Sequence, residues 1–193
     1  MGKNLLWDAA INKLKEGNAR FLKDNLDSPN HDLDLRNKLS HGQNPWAIIL
    51  SCADSRVVPE LAFDTGLGDL FVIRVAGNIA NSSTIASIEY AVANLGVNLI
   101  VVMGHQSCGA ITAAVAGGDA GSSHLNHLVE HMQPALKACG EGSEINDVVK
   151  KNAELTAEDL AAKSEIIQNE IKNGELKVFS AYYHLDNGQV DFF

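Results

Sequence analysis

The chain has 193 residues, 46% of them apolar and 20% charged, with a formal net charge of −9. That is enough chain for one real core, and too apolar a composition for disorder. The acidic balance argues against nucleic acid, which needs a basic face, and against an anionic membrane surface; no apolar run reaches membrane-spanning length. From the N-terminus, residues 5–24 read as an amphipathic helix with Leu6, Ala10, Leu14 and Phe21 on one face. Asn25 to Gln43 is polar, contains Pro29 and Gly42, and reads as a loop, so 1–43 forms an N-terminal helical arm and loop. Ala47–Leu50 is a short apolar run that reads as a buried strand. Pro59 to Phe63 suits a short helix, and Gly66 and Gly68 turn the chain into a strand over Leu70–Val75. These glycines follow a helix and lead into a strand, the reverse of a dinucleotide fingerprint, so they are turn residues.

Ser83–Asn94 is the clearest helix, with Ile85, Ile88, Val92 and Leu95 as its apolar stripe and Gly96 as its stop. Leu99–Met103 is a second buried-strand run. A small-residue helix then heads for Gly117-Gly118, and 124–139 reads as another helix with Leu125, Leu128, Met132 and Leu136 inward and a kink at Pro134. Cys139 continues that stripe as a core cysteine. His124, His127 and His131 lie three and four apart beside it; a second metal site is conceivable there, but a solvated helix face is the simpler reading. Ile145 to Asn173 is mostly helical, with Thr156 as a candidate cap for a second start. Glu175–Tyr183 is a further strand, and Asp186-Asn187-Gly188 marks a hairpin turn before Gln189–Phe193. Alternating strands and helices predict a single α/β domain over 1–193: a mostly parallel sheet of about four strands covered by helices, with a C-terminal hairpin strand.

The chemistry concentrates where two of these strands end. Ser51-Cys52-Ala53-Asp54-Ser55-Arg56 follows the first buried run, and Gly104-His105-Gln106-Ser107-Cys108-Gly109 follows the second. In an open α/β sheet, ligands bind outside the carboxyl ends of the strands. Two thiolates and an imidazole, from Cys52, Cys108 and His105, make a catalytic zinc set with one position left for water. Asp54 can accept a proton or hydrogen bond, and Arg56 can hold it through a bidentate pair. Two buried structural cysteines and a satisfied histidine are the bland alternative for either motif alone; both motifs together favour one zinc per chain. With two of three cysteines spent on metal, no disulfide framework remains, and the N-terminus lacks a signal peptide's apolar core; a reducing cytoplasm is the expected location.

The pair Cys52-Ala53-Asp54-Ser55-Arg56 and Gly104-His105-Gln106-Ser107-Cys108-Gly109 resembles the signature of the β-class carbonic anhydrases, as do Gly68–Arg74, Ala76-Gly77-Asn78, Ser87–Val92 and Glu16-Gly17-Asn18-Ala19-Arg20-Phe21. The resemblance implies reversible hydration of carbon dioxide to bicarbonate and a proton, by hydroxide that zinc generates from water. Asp54 then either aims that hydroxide or takes the fourth zinc position itself. Similarity to the plant-type subgroup implies that Gln43 donates to substrate and that Phe71, Ala76 and Tyr90 line the same pocket, these coming from a neighbouring subunit, so that a homodimer or a tetramer of dimers is expected. The backbone N–H of Gly109, at a helix start, could help hold bicarbonate. The resemblance also implies an N-terminal helix reaching over that neighbour, although packing on its own domain fits the sequence equally well. Some relatives carry a regulatory bicarbonate pocket of Trp, Arg and Tyr. Arg74 and Tyr90 match two of its positions, but Ile49 stands at the third, so this regulation is not expected. A tyrosine phosphatase needs five residues between Cys and Arg, and Cys52 and Arg56 have three. A structural zinc module would close the site with a fourth ligand. A zinc hydrolase of carbonyl sulfide or carbon disulfide would keep the ligands and change only the pocket.

Overall fold

A computed structural model describes residues 5–27 and 31–193. Its sheet has the order β2-β1-β3-β4-β5, built from β1 (Ala47–Ser51), β2 (Leu70–Arg74), β3 (Leu99–His105), β4 (Lys177–Tyr183) and β5 (Val190–Phe192). The first four are parallel, and β5 returns antiparallel to β4 through the 184–189 turn. Side chains alternate across a strand, and the burial follows that alternation. Ala47 and Ile49 of β1, with Val101 and Met103 of β3, pack under α1 (Trp7–Phe21) and α3 (Pro59–Ala62). Ile48, Leu50, Ile100 and Val102 face the other way, against α4 (Ser82–Leu95), α8 (Ile145–Lys163) and α9 (Glu165–Lys172). The central strands β1 and β3 are therefore buried on both faces, as the middle of a parallel sheet requires, while edge strand β2 is half-buried. A third cluster closes the carboxyl ends of the strands: Cys52, Cys108 and Tyr182 sit with Ile111 of α5 (Gly109–Ala116), Ala135 of α7 (Gln133–Cys139) and Val148 of α8. The described part of the predicted single domain is built around this one sheet.

Helix α1 begins at Trp7, and Leu6, expected on its inner face, is an exposed N-cap. Its buried face is Ala10, Ile11, Leu14, Gly17 and Asn18, and it lies on its own sheet. Gly17 makes that possible, because a Cβ there would stand 1.9 Å from the Phe63 carbonyl oxygen. Asn18, buried, donates to the Ala62 and Gly188 carbonyls and accepts from the Val190 N–H, so α1 ties α3 to the C-terminal hairpin.

Five further expectations need correction. The stretch expected to be loop contains α2 (Leu33–Leu39), started by Asp32, whose carboxylate accepts the Leu35 N–H; this helix buries none of its residues, so no apolar stripe announced it. Pro29 lies outside the described residues. The 124–139 helix is two: α6 (Ser123–Glu130) stops, and α7 restarts with Pro134 in its first turn, where a missing N–H costs nothing. Leu125 is then exposed rather than inward, and Cys139 is half-buried at the cluster edge. Thr156 is buried inside α8, and the second start is Ser164, whose hydroxyl accepts the Ile167 N–H at the head of α9.

Candidate metal centre

Strands β1 and β3 are neighbours in parallel register, Ser51 opposite Met103. Their carboxyl ends therefore deliver Cys52 and the His105–Cys108 turn to one point. The donor atoms of Cys52, His105 and Cys108 all lie within 4.8 Å of one another, and all three residues are buried. Gly104 allows the approach, since a Cβ there would meet Val149 of α8 at 2.7 Å. Ser107 takes a left-handed φ of 53° to reverse the chain between His105 and Cys108, with its N–H held by Asn146 Oδ1 at 2.9 Å; such strain in a non-glycine residue persists where surrounding contacts hold it.

The protonation pattern suits a cation. His105 Nδ1 lies 2.9 Å from the Gln106 carbonyl oxygen. A carbonyl can only accept, so Nδ1 carries the proton and Nε2 presents its lone pair. That Nε2 is buried and has no hydrogen-bond partner, an expensive arrangement unless something electrophilic meets it. The two sulfurs stand 4.0 Å apart. Hydrogen bonding from the Cys108 thiol, with help from the Gly77 N–H at 3.4 Å, drives the Cys52 thiol down against the effect of burial; the adjacent Cys52, and then burial, push Cys108 up. Alone, the pair holds one negative charge easily and resists the second. A divalent cation removes that resistance. Two thiolates and one neutral imidazole fit Zn²⁺.

Asp54 stands at the edge of this pocket, with Oδ2 3.8 Å from His105 Nε2. Arg56 grips it: Nε reaches Oδ1 at 2.9 Å, Nη2 reaches Oδ2 at 2.8 Å, and the Arg56 backbone N–H adds a third bond to Oδ1 at 3.0 Å. The guanidinium hydrogen bond holds the Asp54 carboxyl far below the usual carboxylate range. Of the substrate residues suggested by resemblance, Ala76 lies beside Gly77, which contacts Cys52, and Gly109 opens α5 next to Cys108. The other three stand apart in the same chain. Phe71 is paired with Ile48, four residues back along β1 from Cys52, roughly 13 Å at strand rise. Tyr90, half exposed, lies against Phe71 with ring centroids 6.5 Å apart, and Gln43 is exposed in the loop that leads into β1.

Two supports escaped the sequence. Arg74, at the end of β2, donates Nε to the Cys52 carbonyl at 3.0 Å and Nη2 to the Asp54 carbonyl at 2.6 Å, fixing the backbone on both sides of Ala53. Asn152 of α8 donates to the Gly77 carbonyl at 2.9 Å and so steadies the N–H aimed at Cys52. An asparagine spaced with Val148, Val149 and Leu160 along the apolar stripe of the helix was the available signal.

An open parallel sheet carrying a Cys₂His set and an arginine-held aspartate at its strand ends defines a zinc enzyme of the hydrating or hydrolysing kind. Comparison with known proteins narrows this. Residues 47–190 match the carbonic anhydrase family model. Carbonic anhydrase 2 of Mycobacterium tuberculosis is 41% identical over 187 residues, 94% of this chain and 90% of its own length. The carbonic anhydrase of Mycolicibacterium smegmatis is 36% identical over 95% of this chain and 91% of its own. Among solved structures, the β-carbonic anhydrase CcaA superposes with a TM-score of 0.76 at 30% identity, covering 95% of this chain and 87% of that one. A tetrameric β-carbonic anhydrase of Sordaria macrospora gives 0.74 at 27%, covering 82% and 85%. The chain belongs to the β-class carbonic anhydrases: it is a zinc-dependent carbonate dehydratase that hydrates carbon dioxide reversibly.

Proposed function

We propose that Cys52, His105 and Cys108 hold the zinc of this carbonic anhydrase and that Asp54, fixed by Arg56, orients the attacking oxygen. The observation that carries the assignment is the buried, unpartnered Nε2 of His105 facing two paired sulfurs. Zinc supplies the Lewis acidity that makes water nucleophilic near neutral pH. The protein supplies direction. Both Asp54 oxygens are engaged by Arg56 on one side, which leaves Oδ2 a lone pair towards the pocket, placed to accept a hydrogen bond from a reacting O–H. Because Arg56 keeps Asp54 ionised, it stays an acceptor throughout turnover. The pairing favours an aspartate that aims the nucleophile over one that occupies the metal. Arg74 and Asn152 hold the surrounding backbone, which limits reorganisation during reaction. The Gly109 N–H at the start of α5 favours the bicarbonate charge.

Gln43, Phe71 and Tyr90 complete the substrate pocket from a neighbouring subunit, with Ala76 contributed locally. Their separation from Cys52 within one chain, the half-exposed Tyr90 and the tetramers of Sordaria macrospora support this reading, and with it a homodimer or larger assembly. The match of Gln43, Phe71, Ala76 and Tyr90 supports a place in the plant-type subgroup. Thiols that must stay reduced to bind zinc fit a cytoplasmic location; no helix among the described residues is long and apolar enough to cross a membrane. Stopped-flow hydration of carbon dioxide and hydrolysis of carbonyl sulfide, measured on one zinc-loaded preparation, test the function. Fast hydration with little hydrolysis is expected; hydrolysis without hydration would overturn the reading.

A further inference from the structure

Gln106, the half-buried first of the two residues between His105 and Cys108, makes contacts that joining the two ligands does not require. The Gln106 N–H donates to the Tyr183 carbonyl at 2.9 Å, continuing the β3–β4 ladder. Its side-chain Oε1 accepts the Leu185 N–H at 2.9 Å and the Asp186 N–H at 3.3 Å, while Nε2 reaches Asp186 Oδ2 at 3.4 Å. One residue is thus fastened at its backbone to β4 and at its side chain to the 184–189 turn. Its carbonyl is the group that receives His105 Nδ1–H. The turn is anchored in its own right, through the Gly188 carbonyl and the Val190 N–H, to buried Asn18 of α1. Asn18 of the Glu16–Phe21 stretch therefore connects to the metal centre through the C-terminal hairpin.

We infer that Gln106 is a positioning residue for His105: its side chain locks the carbonyl that sets the tautomer and ring direction of this ligand. The inference rests on the assignment of His105 to zinc. The carbonyl can hold the ring only if its own peptide is immobile. Two N–H bonds accepted by Oε1 supply that immobility from a segment about eighty residues away in sequence. Outer contacts of this kind typically govern metal affinity by 10–100-fold.

The test compares the full chain with Gln106→Met, which keeps the side-chain bulk and removes the hydrogen bonds. Zinc affinity is measured by chelator competition, the Co²⁺-substituted protein by its visible spectrum, and the metal-free protein by its melting temperature. The expected result is zinc binding weakened about 10–100-fold and a shifted cobalt spectrum, with the metal-free melting temperature lowered by only a few degrees. A variant with wild-type zinc affinity and cobalt spectrum would overturn the inference. The double variant Gln106→Glu, Asp186→Asn keeps the acceptor and exchanges the donor, and it should regain affinity to within about threefold. If it melts like wild type but binds zinc no better than Gln106→Met, Gln106 is merely structural. If Gln106→Met does not fold, the double variant decides alone: folded with wild-type affinity and spectrum supports the inference, and folded with weakened zinc overturns it. Zinc binding by wild type and its loss in Cys108→Ser are measured alongside, so that failure of the metal assignment is separable from failure of this one.

Discussion

Cys52, His105 and Cys108 come from two strand ends far apart in sequence and converge in a buried pocket, whereas His127 and His131 lie one helical turn apart, with ring centroids 4.9 Å from each other edge to face. Spacing along the chain gives the second group the better local geometry for a shared ion. Its surroundings point the other way. His127 is exposed, and both histidines line an open cavity of about 510 Å³ with Lys163, whose positive charge opposes a cation, and with Glu89, whose carboxylate already accepts the Ser164 hydroxyl. Among the described residues, the cysteine and histidine cluster is the one group of three donors within metal-binding reach of one another. A metal site is made by several fixed donors with no better partner, and only nonlocal convergence at strand ends provides that here.

The largest effect should come from breaking the convergent cluster. Cys108→Ser should lose zinc and essentially all hydration activity together. His127→Ala with His131→Ala should keep one zinc per chain and activity within about twofold, as surface changes usually do. Elemental analysis and stopped-flow hydration check both. Retained zinc in Cys108→Ser, or lost zinc in the histidine variant, would reverse the comparison.

The next effect lies at the rim of the cluster. Asp54→Ala and Arg56→Ala should each keep zinc and lose about 10²–10³ in kcat. The double variant should lose little more than either alone, because Arg56 acts through Asp54. Additive losses in a double-mutant cycle would show that the two residues work separately.

A third outcome is the pH profile of hydration. Cys52 and Cys108, as thiolates, would cancel the charge of a zinc ion held there, which would then acidify water less than zinc beside three neutral imidazoles. The rate should rise through neutral pH and still be climbing on the alkaline side. Asp54 is ionised well below the assay range, so the rise does not come from its carboxyl. A flat profile from the fully metallated enzyme would contradict the charge balance.

The smallest effect sharpens the other half of the comparison. Burial, then His127, then Lys163 lower the proton affinity of His131 in the folded state. Below the ordinary histidine range, near pH 6.5, the unfolded chain binds a proton there that the native chain resists. Stability therefore falls as pH drops through that range and is unaffected above it. His131→Gln should flatten the dependence of melting temperature on pH between about 6.5 and 5. An unchanged slope would mean that His131 is solvated as freely as His127.

Much of this protein was already legible in its sequence, because the relevant signals are local. Buried-strand runs are short and apolar, and the donors follow at once, so Cys52, Asp54, Arg56, His105 and Cys108 could be named together with a parallel sheet and its hairpin. Helix starts that depend on one capping side chain, Asp32 and Ser164, were weaker signals, and Pro134 marks the start of a helix where a kink was expected. Tertiary structure alone decided the rest. Strand order placed β1 beside β3 and so brought Cys52 within reach of Cys108. It set Arg74 on the Cys52 and Asp54 carbonyls, Asn152 on Gly77, and Gln106 on the 184–189 turn. It also left Phe71 and Tyr90 away from Cys52 in their own chain. The hydrogen bonds and the sulfur contact among these join residues at least twenty positions apart. Such contacts depend on register and sheet order, which no short window of sequence contains.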